Sequence, residues 1–271
     1  MANNFKLDFI PNRPKQPRNH GVTMMMDKGL SLRQVEDFIG TSGHLTDLAK
    51  LGFGTAYVTN DLEEKIKLYQ SAGIRPYFGG TLFEAFIARN KFNNFRKLCD
   101  KFDLDLCEVS DGSIEISHDK KLEYISTLAE DRTVLSEVGS KDAGIIISPS
   151  KWIKMMSTEL EAGSWKVIAE GRESGNVGVF RPNGTAHTFL INKIIAKIKP
   201  EDILWEAPQK TQQVWFIKLF GPNVNLGNIA PHEMIPLECL RLGLRGDTFF
   251  EFLPDDISSI LKQTPTEETK K

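Results

Sequence analysis

Short apolar runs rich in Val, Ile and Leu alternate along this chain with longer segments whose apolar residues fall three or four apart, and that rhythm restricts the fold more than any other feature. Runs at 22–26, 48–51, 74–78, 104–109, 133–137, 167–170, 203–206 and 224–226 have the length of buried strands. Between them, Ser31 and Gln34 make an S-x-x-Q capping box ahead of the stripe Leu32, Val35, Phe38 and Ile39, with Gly40 closing the helix. Asp61 and Glu64 open a helix that turns Leu62, Ile66 and Tyr69 inward, and Gly73 ends it. The aromatic stretch 82–102 fits two helices, and Leu122, Ile125 and Leu128 mark another. Ser148 and Pro149 supply an N-cap and a first-turn proline for a helix running to Gly163. Later helices carry Leu190 and Ile194, then Val214 and Ile217, and the last ends near Leu242. Eight βα units within 271 residues, with no long linker, predict a single (β/α)8 TIM-type barrel, the alternative being a doubly wound open sheet. The proline-rich segment IPNRPKQPRNH makes 1–20 an N-terminal arm, 21–253 the barrel domain, and 254–271 a C-terminal tail expected to be disordered.

Charge narrows the partners. With 34 Lys plus Arg against 36 Asp plus Glu, a net charge of −2 and scattered basic residues, the chain has no electrostatic footprint for nucleic acid. No apolar run approaches the roughly 20 residues needed to span a bilayer, and MANNFKLDFI lacks the apolar block of a secretory signal, so no membrane partner and a cytoplasmic location are expected. Cys99, Cys107 and Cys239 are odd in number, without a C-x-x-C, and read as buried thiols rather than zinc ligands.

In a (β/α)8 barrel the working residues lie at the carboxyl ends of the strands. Those ends are polar here: Asp27 and Lys28; Lys50 before LGFGT; Gly79, Gly80 and Thr81; Glu108, Ser110 and Asp111; Glu137; Glu170 and Arg172; Glu206 with Gln209 and Lys210; Asn225 and Asn228. Period-two alternation puts Glu108 on one face with Leu106, Glu137 with Leu135, Glu170 with Ile168, and Glu206 with Leu204. If that face is the interior, four neighbouring strands present a glutamate at one rim. Carboxylates that close raise one another's pKa unless a cation compensates them, and with no Cys or His alongside, Mg2+ suits the set better than zinc. For any one glutamate, a simple pairing with a nearby lysine is an equal reading. The run Met24, Met25 and Met26 reads as strand filler, and the tryptophans as core or interface. The five histidines lack H-x-x-x-H spacing and are not expected to be ligands. GLRGDTFF is expected away from the rim, in barrel closure, a subunit contact or anion binding through Arg245.

GVTMMMDKGL, KLGFGT, GGTLFE, EVSDGS, SEVGSK, EGRESG, EAPQK, VNLGNIA and LRLGLRGDTF run in order from Gly21 to Phe249. In these stretches the chain closely resembles the phosphosulfolactate synthase family, with Phe53 standing where family members carry tryptophan. The resemblance implies an enzyme, a carbon–sulfur lyase that adds sulfite to phosphoenolpyruvate with Mg2+ to give (2R)-phospho-3-sulfolactate. On that reading Glu108, Glu137, Glu170 and Glu206 hold the metal, which stabilises an enediolate-like species, and Lys141 in SEVGSK is the general acid. Lys28, Lys50, Arg172 and Lys210 would hold phosphate, carboxylate and sulfite, with Thr81 and Asn225 as neutral donors. The resemblance also implies a compact homo-oligomer, a trimer being expected. Two alternatives stay open: a non-catalytic stress-associated barrel, and an enzyme for another phosphorylated enol or keto acid.

Overall fold

A computed structural model of the chain describes residues 4–139 and 147–262. Its elements, in chain order, are β1 (Thr23–Asp27), α1 (Leu32–Ser42), β2 (Leu48–Leu51), α2 (Thr55–Val58), α3 (Leu62–Ser71), β3 (Arg75–Phe78), α4 (Gly80–Ile87), α5 (Phe92–Lys101), β4 (Leu106–Val109), α6 (His118–Ala129), β5 (Thr133–Val138), α7 (Pro149–Glu161), β6 (Ser164–Ala169), α8 (Thr188–Ile195), β7 (Ile203–Glu206), α9 (Lys210–Phe220), β8 (Leu226–Ile229), α10 (Met234–Arg241) and α11 (Asp255–Leu261). The strands pair in parallel in the order β3-β2-β1-β8-β7-β6-β5-β4, and β3 and β4 at the ends of that order lie against each other. The ring therefore closes as a single (β/α)8 barrel rather than opening into a doubly wound sheet. Among the described residues no helix is long and apolar enough to cross a membrane.

The barrel has two apolar layers. Met24, Leu48, Tyr77, Leu106, Leu135, Ile168 and Leu204 fill the interior, while the alternate strand residues join the helices in a larger outer core. At the seam between β3 and β4, where no backbone ladder joins the strands, side chains cross instead. The Gly80 N–H donates to Glu108 Oε1 (2.6 Å), and Arg75 donates to Asp105 Oδ2 (2.9 Å) and Thr133 Oγ1 (2.7 Å). The Glu84 carboxylate on α4 accepts from Ser110 Oγ and from the Ser113 N–H beyond β4.

Local signals fared unevenly. The Ser31–Gln34 capping box forms, and Ser148 caps α7 with Pro149 in its first turn. Gly40 does not close α1: the helix runs on to Ser42, and Gly43 takes the cap position. Asp61 sits at φ 53° and makes no side-chain cap bond, so no box with Glu64 forms. β8 begins at Leu226 instead of residue 224, because Gly227 and Asn228 interrupt the apolar run that would mark it. A Cβ at Gly227 would come within 2.7 Å of Met24 Cε, so the end of that methionine packs over the glycine. The N-terminal segment is tied to the barrel by side chains. Arg13 pairs with Glu238 (3.0 Å) and Arg18 with Asp47 (3.1 Å), fastening it across the amino end of the barrel beside buried Arg241, which donates to the carbonyls of Pro222 and Val224. The expected tail carries α11, and residues 263–271 lie outside the described ones.

The shift of β8 relocates Asn225 to the amino end. Its Oδ1 accepts from the Val22 N–H (3.0 Å), and its Nδ2 donates to the carbonyls of Glu201 (2.9 Å) and Ile203 (3.0 Å). The side chain thus ties β1, β7 and the start of β8 together in a buried setting. Asn225→Ala, which strands these groups, is expected to cost about 2–4 kcal/mol in urea denaturation while leaving ligand affinity at the opposite rim unchanged.

Candidate active site

Moving two residues along each strand from the interior apolar layer reaches the carboxyl-terminal rim. There Leu48 gives way to Lys50, Leu106 to Glu108, Leu135 to Glu137, Ile168 to Glu170 and Leu204 to Glu206, all buried. The period-two reading of the strands holds for all four glutamates. A cavity of about 280 Å³ opens above them, walled also by Met26, Phe53, Thr81, Arg172 and Asn228.

Lys50 occupies the centre of the carboxylates. Its Nζ lies 3.0 Å from Glu108 Oε2, 3.3 Å from Glu206 Oε1 and 3.7 Å from Glu137 Oε2. Burial works against its charge, yet Glu108, Glu206 and Glu137 hold its pKa well above the usual lysine range. Burial pushes the Glu108 carboxyl up to about 6, with Lys50 pulling the other way, and burial beside Glu108 also raises the Tyr77 hydroxyl well above its ordinary value.

The four glutamates divide into three and one. Glu108 gives one oxygen to the Gly80 N–H and the other to Lys50. Glu137, Glu170 and Glu206 each offer one oxygen, and those atoms all lie within 4.8 Å of one another. A buried, all-oxygen donor set of this kind fits a hard divalent cation. Supporting bonds orient it: Glu170 Oε1 accepts from the Arg172 N–H (2.6 Å) and Glu206 Oε2 from the Gly171 N–H (3.0 Å). Lys121 on α6, fully buried, donates to the Glu137 carbonyl (2.6 Å) and to Asp111 (2.9 Å), and its Nζ lies 2.9 Å from Glu159. Lys65 and Tyr69 on α3 meet Asp27 Oδ2 at 3.1 and 3.0 Å, and Asp27 Oδ1 accepts from the Gly29 and Leu30 N–H groups, fixing the loop after β1. Sequence reasoning did not single out these two lysines. The signal was present: Lys121 stands on the stripe of Ile125 and Leu128, and Lys65 on that of Leu62 and Tyr69, positions where a charge must be buried and paired.

The other expected site residues scatter. Thr81 and Arg172 line the central cavity, Arg172 at φ 58°. Lys28, paired with Glu173 (3.3 Å), and Lys210, paired with Asp247 (3.1 Å), line a second rim cavity of about 310 Å³. The Lys210 pairing reaches Asp247 of GLRGDTFF, while the rest of that segment lies away from the rim: Thr248 Oγ1 donates to the Leu240 carbonyl at the end of α10, and Gly243, Leu244 and Phe249 line a cavity with residues 7–10 of the N-terminal segment. Asn225 lies at the far end of the barrel and cannot meet a ligand at this rim. Lys141 lies outside the described residues.

A closed (β/α)8 barrel whose strand ends gather buried carboxylates around a lysine, beneath an open cavity, defines a barrel enzyme working on a small polar substrate at its carboxyl-terminal rim. Residues 11–247 match the (2R)-phospho-3-sulfolactate synthase (ComA) family, and the chain belongs to that family. It is 41% identical over 251 residues to the phosphosulfolactate synthase of Bacillus subtilis, covering 92% of this chain and 99% of that one. It is likewise 41% identical over 235 residues to the phosphosulfolactate synthase of Methanocaldococcus jannaschii, covering 84% and 94%. The 3-hexulose-6-phosphate synthase of Salmonella typhimurium aligns with a TM-score of 0.55 at 13% identity, over 83% of this chain and 100% of that one, a likeness of fold alone.

Two outcomes follow from the Lys50 cluster. Lys50→Met leaves buried carboxylates uncompensated and is expected to cost about 3–5 kcal/mol in urea denaturation, part of which Lys50→Met/Glu108→Gln recovers. A carboxyl raised on folding binds its proton more tightly in the folded state, so its stabilisation is full below its ordinary pKa of 4.5 and is lost as pH rises to about 6. In divalent-free buffer the wild type should therefore lose stability on the order of 2 kcal/mol across that window relative to Glu108→Gln, measured by denaturation at successive pH values.

Proposed function

We propose that this chain joins sulfite to C3 of phosphoenolpyruvate to form (2R)-phospho-3-sulfolactate, with Mg2+ as its cofactor. The observation that carries the reading is the trio Glu137, Glu170 and Glu206, three buried carboxylates converging beside Lys50 in a member of the synthase family. A divalent cation held among the three would meet only carboxylate oxygens, the donors that a hard cation takes. When bound, that cation would supply Lewis-acid stabilisation of negative charge developing on the substrate carboxylate.

The remaining demands fall on the chain. The sulfite sulfur donates its electron pair to C3, the C2–C3 π pair shifts toward the carboxylate, and C2 then takes a proton on one face. Lys50 is a poor source of that proton, because its carboxylate neighbours hold it charged. Lys141, in the segment after β5, is the donor in this reading. Arg172 and Thr81 in the cavity wall supply donors to the substrate oxyanions, and Lys28 and Lys210 in the adjoining cavity add positive potential, tempered by Glu173 and Asp247. The paired charges around Lys50 keep the glutamates in place before substrate enters.

Incubating purified protein with phosphoenolpyruvate, sulfite and Mg2+ and following phosphorus NMR should show phosphosulfolactate; its absence at saturating metal overturns the reading. Glu170→Gln should weaken Mn2+ binding, read by electron paramagnetic resonance, by about 10-fold or more. Lys141→Ala should keep Mn2+ affinity and lose turnover; full turnover would remove Lys141 from the mechanism.

A further inference from the structure

Asn228, near the end of β8, combines three properties found together at no other residue named above. Its backbone sits at φ 57°, a left-handed conformation that asparagine tolerates better than most residues with a Cβ but that glycine adopts more freely. The residue is buried, with 5% relative exposure, and Oδ1 has no hydrogen-bond partner among the described residues. It is also a wall of both rim cavities, the carboxylate chamber over Glu137, Glu170 and Glu206 and the chamber lined by Lys28 and Lys210.

The first two properties are penalties, and a better local solution is available. Glycine adopts this φ without strain and has no side-chain carbonyl to strand. An asparagine in that place is explained by what its amide does at the junction. Oδ1 is inaccessible and unpartnered among the described residues while the residue walls both cavities, so the Nδ2 donor is the group assigned to a ligand, and a neutral donor there neither adds to the carboxylates nor competes with the lysines. The backbone helps to fix it, since the Asn228 N–H is spent on Met24 Sδ (3.4 Å).

We infer that Asn228 is a substrate-orienting residue, its side-chain amide donating to an oxyanion of a phosphorylated carboxylic acid that reaches from the carboxylate chamber into the lysine-lined one. The inference rests on the proposed site but not on the carbon–sulfur step. It makes Asn228, and not Asn225, the neutral donor that β8 contributes to the rim.

The test separates strain from function. Asn228→Gly should melt at or above the wild-type temperature, because it relieves φ and removes the stranded carbonyl. The same variant should lose about 10- to 100-fold in kcat/KM, carried mainly by KM for phosphoenolpyruvate, and its thermal shift with phosphoenolpyruvate should shrink, with Mn2+ affinity unchanged. Asn228→Asp, nearly the same shape but anionic, should bind phosphoenolpyruvate more weakly still. Wild-type kinetics and thermal shift in Asn228→Gly would overturn the inference, as would a melting temperature below wild type with ligand response intact, the mark of a packing role. The thermal shift needs no turnover. A wild type that is stabilised by phosphoenolpyruvate yet makes no phosphosulfolactate refutes the proposed reaction, and Asn228 is then judged on the shift alone. A wild type stabilised by neither phosphoenolpyruvate nor inorganic phosphate refutes Asn228's role too.

Discussion

The rim depends on one ammonium group. Packing Glu108, Glu137, Glu170 and Glu206 at the ends of four neighbouring strands is unfavourable in a buried setting, and Lys50, from β2 on the other side of the ring, makes it tolerable by reaching three of them at once. The barrel interior below Lys50 is filled by Leu48, Leu106, Leu135 and Leu204, so its side chain turns up toward the carboxylates at the rim. The same arrangement divides the labour among the glutamates. Glu108 becomes a structural counterion fixed between Lys50 and the Gly80 amide, and the remaining three keep converging oxygens.

Around this centre the outer helices send a second set of charges inward. Lys65 and Lys121 cross the apolar layer between helix and strand and end on groups at the strand termini, Asp27 in one case and the Glu137 carbonyl in the other. Each reaches its partner from a helix outside the barrel, so the loops of the rim are positioned by the shell as well as by the strands that carry them. Orientation of the site is therefore distributed across β1, β4, β5 and β6, which explains how short strands of four to six residues can hold four acidic side chains in register.

Much of this was legible. The βα alternation predicts the closed barrel, and two-residue periodicity places Glu108, Glu137, Glu170 and Glu206 on the interior face, because both signals arise from backbone geometry that tertiary contacts rarely override. What escaped depends on contacts remote in sequence. Asn225 and Asn228 look alike in VNLGNIA, and only the register of β8 against β1 and β7 sends one to the amino end and the other to the rim. The N-terminal segment reads as an arm because its prolines and arginines suit exposed chain. Its anchorage lies in partners more than 25 residues away, Asp47 and Glu238. Similarly, Asp247 meets Lys210 across 37 positions, a pairing no local pattern announces.

The seam between β3 and β4 gives the barrel a property that uniform lacing would not. Seven joints of the ring are backbone ladders, whose strength is the same at any pH, and the eighth is a row of carboxylates clasping amides, a guanidinium and a hydroxyl. Mechanically the molecule is a split ring with a clasp rather than a seamless pipe. That clasp passes beside Thr81 and Ser113, which line the cavity. The joint closed by side chains and the wall of the candidate site are thus the same place, set apart from the ladders between β5, β6 and β7 that carry Glu137, Glu170 and Glu206.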